Sequence, residues 1–122
     1  MLLKSLASCP EFLAGDHTRL REMLHPDRDS VTLRYSLAQA QLEAGQWSWL
    51  HCLKTSEVYY ILEGAGVMEI DGEQCAVGPG DTIYIPPHAR QRIQCRGPAP
   101  LRFLCIVDPA WRKEDEEVMP SR

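Results

Sequence analysis

Short stretches of alternating apolar and polar residues run along most of the chain, separated by glycine and proline. The most regular stretch, from Ala89 to Arg96, points Gln91 to the same face as its apolar residues. A period of two predicts half-buried strands. Asp71 and Gly72 predict a tight hairpin turn between two such strands. The residues on the apolar face of the Ala89 stretch are Ala89, Gln91, Ile93 and Cys95.

Three further stretches predict strands near the middle of the chain. From Val31 to Glu43 the alternate residues Leu33, Tyr35 and Leu37 are apolar, which predicts a half-buried strand with these three on one face. Glu57 to Leu62 is apolar on both faces, as expected for a strand between two layers. The stretch from Trp47 to Leu53 predicts a strand with one face formed by Trp47, Trp49, His51 and Leu53.

The two ends of the chain are predicted to be less regular. Thr18 to Leu24 is open to two interpretations, an edge strand or one helical turn, and the segment before it has no clear period. The acidic residues from Glu114 to Glu117 predict one exposed, solvated helical turn. Eight or more short strands without a long amphipathic helix predict an all-β fold, an antiparallel sandwich or jelly-roll barrel. We expect one domain over residues 1–122, with its core barrel at about 31–108.

Composition excludes several classes of function. The 122 residues include 13 Lys and Arg against 17 Asp and Glu, so the net charge of −4 offers no basic field for a nucleic acid. No stretch approaches the roughly 20 apolar residues that cross a bilayer, so we expect no membrane partner. Five scattered cysteines without a Cys-x-x-Cys pair predict reduced thiols and a cytoplasmic protein.

A set of spaced residues resembles the two motifs of the cupin family. In the first motif, Gly, His, His, Glu and Gly stand at fixed intervals, and the phrase from Ser56 to Gly64 is typical of it. The second motif carries Gly, Pro, Gly, His and Asn, of which only Gly80 and Pro86 are matched. The positions for the first motif are Gly45, His51, Leu53, Glu57 and Gly64, and those for the second are Gly80, Pro86, His88, Gln91 and Cys95.

The resemblance implies a jelly-roll β-barrel with a divalent metal at its mouth, held by three His and one Glu, often in a homodimer. Carried over by position, His51 and Glu57 match metal ligands, whereas Leu53 and Gln91 stand where His is usual. Leucine has no lone pair, and a neutral amide oxygen binds transition metals more weakly than imidazole. The predicted metal site is therefore His51, Glu57 and Gln91, holding zinc, nickel, manganese or iron, with no metal as the alternative.

Side chains on the same predicted faces would line the pocket around this site. We expect Trp49, Leu53, Tyr59 and Ile93 there, with ordinary core packing as the alternative for Trp49 and Tyr59. His88 is either a general base at the mouth or a solvated turn residue, and His17 and His25 have no assigned role. The sequence predicts a metal protein of oxygenase or isomerase type acting on a small organic molecule. The alternative is a non-catalytic module that binds a sugar-like ligand at a degenerate metal site.

Overall fold

A computed structural model describes residues 1–119 of the chain as strands and loops. Two 3₁₀ turns, at Leu6–Ser8 and Lys113–Asp115, are its only helical elements within these residues. The strands are β1 (Glu11–Leu13), β2 (Arg19–Leu24), β3 (Ser36–Leu42), β4 (Leu50–Leu53), β5 (Ser56–Glu63), β6 (Gly66–Ile70), β7 (Glu73–Val77), β8 (Thr82–Ile85), β9 (Gln91–Cys95), β10 (Leu101–Asp108) and β11 (Glu116–Met119).

The strands form two sheets in which all the described pairs are antiparallel. One sheet has the order β1-β2-β3-β10-β5-β8 and the other β11-β4-β9-β6-β7. Many neighbours in a sheet are distant in sequence, since β10 pairs with both β3 and β5. β6 and β7 join through Asp71 and Gly72, both with positive φ, as the predicted hairpin turn requires. The expected all-β antiparallel jelly roll is confirmed.

The core lies between the sheets and is built from alternate residues of each strand. On β9, the predicted inward residues Gln91, Ile93 and Cys95 are all at most 1% exposed. On β5, the residues Glu57, Tyr59 and Ile61 face inward and leave Tyr60 and Leu62 outside. Burying apolar side chains contributes roughly 25 cal/mol per Å², so this alternation fixes which face of each strand meets the other sheet.

The strand predicted from Val31 has a different start and a different inner face. β3 begins only at Ser36, and it buries Ser36, Ala40 and Leu42, whereas Tyr35 is 41% exposed. The alternation of Leu33, Tyr35 and Leu37 was therefore assigned to the wrong face. The inner face of β3 is small at Ala40 because bulky Phe103 lies opposite it on the neighbouring strand β10.

The predicted face from Trp47 to Leu53 is interrupted. β4 begins at Leu50, and Ser48 before it is fully buried, with its hydroxyl accepting a hydrogen bond from the Ile93 N–H at 2.9 Å. The Trp49 N–H donates to the Asp16 carbonyl at 2.8 Å instead of to a neighbouring strand. Inward residues have even numbers before Trp49, at Ser48, and odd numbers after it, at His51 and Leu53. A strict period of two does not predict this change.

Residues 1–30 and 109–119 contain more strand than predicted. The N-terminal segment contributes β1 to the edge of the six-stranded sheet, and Arg19–Leu24 is a strand rather than a helical turn. The predicted helical turn from Glu114 to Glu117 is a 3₁₀ turn followed by β11, which pairs with β4. Strands outside residues 31–108 thus complete both sheets. Among the described residues, no helix is long and apolar enough to cross a membrane.

All five cysteines lie in the described part of the chain as free thiols. Cys9, Cys95 and Cys105 are buried, and Cys75 is exposed. Burial raises the pKa of the Cys105 thiol well above its ordinary value, so this side chain is an uncharged apolar filler.

Candidate functional site

A cavity of about 210 Å³ opens between the sheets and is lined by residues of both, from β1, β2, β3, β5 and β10 of one sheet and from β4 and β11 of the other. Its space exists because β3 contributes only Ser36, Ala38 and Ala40 to the wall. Larger residues cover the remaining wall and make it largely apolar. These residues are Phe12, Leu20, Leu53, Tyr59, Phe103, Val107 and Trp111.

His51 is the central polar residue of the cavity. It lies on β4 and is 2% exposed. Its Nδ1 is 2.8 Å from the Trp49 carbonyl, so Nδ1 carries a hydrogen, and its Nε2 lies 3.6 Å from Oδ2 of Asp16. Burial opposes protonation of His51, but the carboxylates of Asp16 and Glu57 and the Trp49 carbonyl outweigh it and raise its pKa. The imidazole is therefore readily protonated.

Asp16 was not predicted as a site residue, yet it is the carboxylate paired with His51. It lies in the loop between β1 and β2 and is 8% exposed. Its Oδ1 accepts hydrogen bonds from the backbone N–H of Thr18 at 3.1 Å and from the Thr18 hydroxyl at 2.7 Å. The two hydrogen bonds from Thr18 hold Oδ1 of Asp16 in place, so Oδ2 points toward His51. The spacing of Asp and Thr two residues apart is typical of such a turn and is the signal that could have indicated Asp16.

Glu57 reaches the cavity from β5 in the opposite sheet. Its Oε1 accepts a hydrogen bond from the Gln91 Nε2 at 3.0 Å. Burial raises the pKa of Glu57 to about 7, against the lowering effects of His51 and Gln91. A carboxyl with this pKa exchanges its proton near neutral pH.

Gln91 faces His51 across the pairing of β4 with β9 and is 1% exposed. Its Oε1 is buried and has no hydrogen-bond partner among the described residues. The amide suits both states of Glu57, because Nε2 donates to a carboxylate whereas a rotated amide would accept from a carboxylic acid. Gln91 therefore positions Glu57 in either protonation state.

Glu116 is the second site residue that the sequence analysis missed. It opens β11 opposite Leu53, lines the cavity, and accepts a hydrogen bond from the Trp111 Nε1 at 3.3 Å. Burial and the nearby Asp16 raise its pKa. The acidic run from Glu114 to Glu117 was interpreted as solvated surface, and only the pairing of β11 with β4 brings one of its members inward.

The predicted pocket residues divide into two groups. Leu53 and Tyr59 line the cavity, with the Tyr59 ring 4.5 Å from the Phe103 ring. Trp49 and Ile93 do not line the cavity. The Trp49 ring stacks on His17 outside the cavity, and Ile93 is fully buried in the core. The exposed His88 lies in the turn before β9.

The donor atoms do not fit the metal centre that the cupin resemblance implies. Leu53 presents hydrocarbon where the second His would bind, and Gln91 offers a neutral amide oxygen, a weaker ligand than imidazole, where the third would bind. Within residues 1–119, no group of three or more His, Cys, Asp and Glu side chains is arranged to hold a metal ion. Zinc sites need at least three such protein ligands.

Comparison with known proteins identifies the family. A family model described as "Cupin domain" matches residues 39–107. The chain belongs to the cupin family. The cupin is 41% identical over 109 residues to the uncharacterized protein MJ1618 of Methanocaldococcus jannaschii, covering 88% of this chain and 86% of the relative.

Solved structures resemble the cupin in fold. Pac13 of Streptomyces, described as a nucleoside dehydratase, has a TM-score of 0.78 at 19% identity, over 98% of this chain and 92% of its own. The polyketide cyclase RemF from Streptomyces resistomycificus has a TM-score of 0.79 at 19% identity, over 100% of this chain and 86% of its own. At these identities the likeness shows a shared fold.

Proposed function

We propose that this cupin catalyses proton transfer on a small organic molecule, as isomerases and lyases do, without a bound metal. One observation carries the proposal: the imidazole of His51 shares the buried end of the cavity with the carboxyl groups of Asp16 and Glu57. Pairs of titratable groups in a water-excluded pocket are the usual means of acid–base catalysis.

The three side chains have distinct roles in this proposal. Glu57, with a pKa of about 7, removes a proton from the substrate and returns it at another atom. The His51 imidazolium donates a hydrogen bond or a proton to the oxygen on which negative charge develops. Asp16 keeps the imidazolium charged and oriented across 3.6 Å. Electrons move only within the substrate, so an isomerisation or elimination of water needs no external oxidant.

The wall of the cavity supports a small, partly apolar substrate. Tyr59 and Phe103 supply an aromatic surface beside the acid–base groups. The neighbours described as a nucleoside dehydratase and a polyketide cyclase also support an activity on an organic molecule. The oxygenase interpretation has less support, because the donor set does not fit the metal that such chemistry uses.

Exchange of substrate protons with solvent tests the proposal without knowledge of the complete reaction. The purified protein is incubated in D₂O with a panel of small hydroxy acids, keto acids and sugars, and NMR follows the loss of C–H signals. We expect exchange that survives dialysis against a chelator and is lost in Glu57→Gln. Glu73→Gln, on exposed β7, is the matched control.

The other outcomes separate the alternatives. Exchange that requires an added divalent cation, with near-stoichiometric metal by elemental analysis, would support the metal interpretation and contradict ours. A ligand that stabilises the protein without any exchange would indicate a non-catalytic binding module.

We further propose that the cupin is a homodimer that buries the outer face of the six-stranded sheet. This face exposes Tyr60, Leu62 and Tyr84, which are 40%, 38% and 62% exposed. Tyr84 on β8 lies beside Val58, which faces outward from β5. Contiguous exposed apolar residues favour association with a partner.

A further inference from the structure

The rim of the cavity carries a cationic group that the proposed reaction does not use. Arg28, in the loop after β2, is the one cavity-lining residue with a permanent positive charge in the described chain. Its Nη1 donates to Oε1 of Glu22 at 2.7 Å, and its side chain is 57% exposed. Because a guanidinium has five N–H donors, the pairing with Glu22 leaves further donors available at the rim of the cavity.

Strand pairing separates this rim from the acid–base groups. Glu22 on β2 pairs with Ala38 on β3, Ala38 with Cys105 on β10, and Cys105 with Tyr59 on β5. Three strand spacings place the backbones of Glu22 and Tyr59 about 14 Å apart. Glu57 lies two residues from Tyr59 on the same strand. Arg28 and Glu57 therefore lie on opposite sides of one cavity.

A buried histidine holds the loop that carries Arg28. The Arg28 N–H donates to the His25 carbonyl at 3.1 Å. The His25 ring is 1% exposed; its Nδ1 accepts from the Asp27 N–H at 3.1 Å, and its Nε2 lies 2.7 Å from the Trp111 carbonyl. Since Trp111 also lines the cavity, His25 fixes two parts of the rim relative to each other.

The wall between the two polar sides is apolar. Leu20, Ala38 and Phe103 line this part of the cavity. A ligand that spans it needs a hydrocarbon or aromatic body, and small Ala38 leaves the space for one. The rim carries the ion pair of Arg28 with Glu22, whereas Glu57 lies on the opposite side of the cavity.

We propose that Arg28 forms an anion subsite, so that the ligand is a small organic acid. Its carboxylate pairs with the Arg28 guanidinium in competition with Glu22, and its apolar body lies along Leu20 and Phe103. The ion pair between Arg28 and Glu22 is exposed and therefore weak, so a ligand carboxylate can displace Glu22 from it. Binding of the carboxylate to Arg28 does not depend on the proposed function. Only the role of the opposite end of the ligand, beside Glu57, rests on it.

Three probes of equal size but different charge test the subsite: phenylacetate, phenylacetamide and phenethylamine. NMR titration measures their affinities. We expect phenylacetate to bind most tightly and Arg28→Gln to weaken it about fivefold, with the amide unaffected. Glu22→Gln should tighten phenylacetate because it removes the competing carboxylate. Arg90→Gln, at an exposed position before β9, is the control for a general charge effect.

Several results would overturn the subsite. These are tightest binding of the amine, no binding of phenylacetate at millimolar concentration, and equal affinity of phenylacetate for Arg28→Gln and the unmodified protein. Circular dichroism of each variant verifies that it is folded. Glu57→Gln separates the two proposals: retained phenylacetate binding supports the subsite even if no proton exchange is found in any protein.

Discussion

The side-chain amide of Gln91 on β9 donates a hydrogen bond of 3.0 Å to Oε1 of Glu57 on β5, and this bond links the two sheets beside the cavity. A donor to the charged form lowers the pKa of a carboxyl. We therefore expect Gln91→Leu to raise the pKa of Glu57 above about 7. NMR of ¹³C-labelled glutamate measures it, with Gln94→Leu on the same strand as control. An unchanged pKa would mean that the amide does not act on Glu57.

Stability should depend on the protonation of Glu57. Its pKa is about 7 when folded against 4.5 ordinarily, so the folded state holds the proton more tightly. The resulting stability is fully present below pH 4.5 and is lost as the pH rises through about 7. The raised pKa of His51 acts in the same direction, above its ordinary 6.5.

Glu57→Gln removes the contribution of the carboxyl to this pH dependence. Urea denaturation at pH 5 and pH 8 should show a smaller loss of unfolding free energy for Glu57→Gln than for the unmodified protein. Glu73→Gln should retain the full dependence. Equal losses in all three proteins would contradict a raised pKa at Glu57.

Ala38→Leu should close the cavity without harming the fold. The added side chain fills existing space in an apolar wall, and such filling commonly stabilises by about 1 kcal/mol. We expect a melting temperature equal to or above that of the unmodified protein and loss of phenylacetate binding. Ala44→Leu, at an exposed turn, should leave binding intact. Full binding by Ala38→Leu would show that the ligand lies elsewhere.

His25→Leu should destabilise the protein by about 2 kcal/mol or more. The change leaves the Asp27 N–H and the Trp111 carbonyl without their partner, and a buried polar group without one costs about 1–3 kcal/mol. Denaturant titration measures the effect. His88→Asn is the control because His88 is exposed and its φ of 69° is tolerated by asparagine. Equal stabilities would contradict an anchoring role for His25.

Leu62→Glu should dissociate the proposed homodimer. A charge placed in an apolar interface opposes its burial. Analytical ultracentrifugation at micromolar concentration should give a dimer for the unmodified protein and a monomer for Leu62→Glu. Glu73→Gln should remain dimeric. A monomeric unmodified protein would remove the dimer proposal.

The sequence predicted the fold well because its signals are local. Alternation on β9 and the hairpin at Asp71 and Gly72 depend on neighbouring residues, and both agree with the structure. The inward positions of His51, Glu57 and Gln91 followed from the same alternation together with the cupin motifs. Their role as metal ligands stays a prediction that the donor set does not favour.

What the sequence could not predict depends on contacts between distant residues. Asp16 and Glu116 are brought to His51 by a loop and a terminal strand that lie outside both motifs. Trp49 was assigned to the pocket because a strict alternation ignores the hydrogen bond from its N–H to Asp16. On β3, the inward residue opposite Phe103 is small because that bulky ring lies beside it on the neighbouring strand.

The small side chains on the β3 wall of the cavity are Ser36, Ala38 and Ala40. Substitutions at these positions could reshape the chamber while the acid–base residues, which lie on other elements, keep their geometry. Selectivity for molecular size and reactivity can therefore diverge independently in descendants of this sequence. A designer could likewise retune what the protein accepts by editing a single strand.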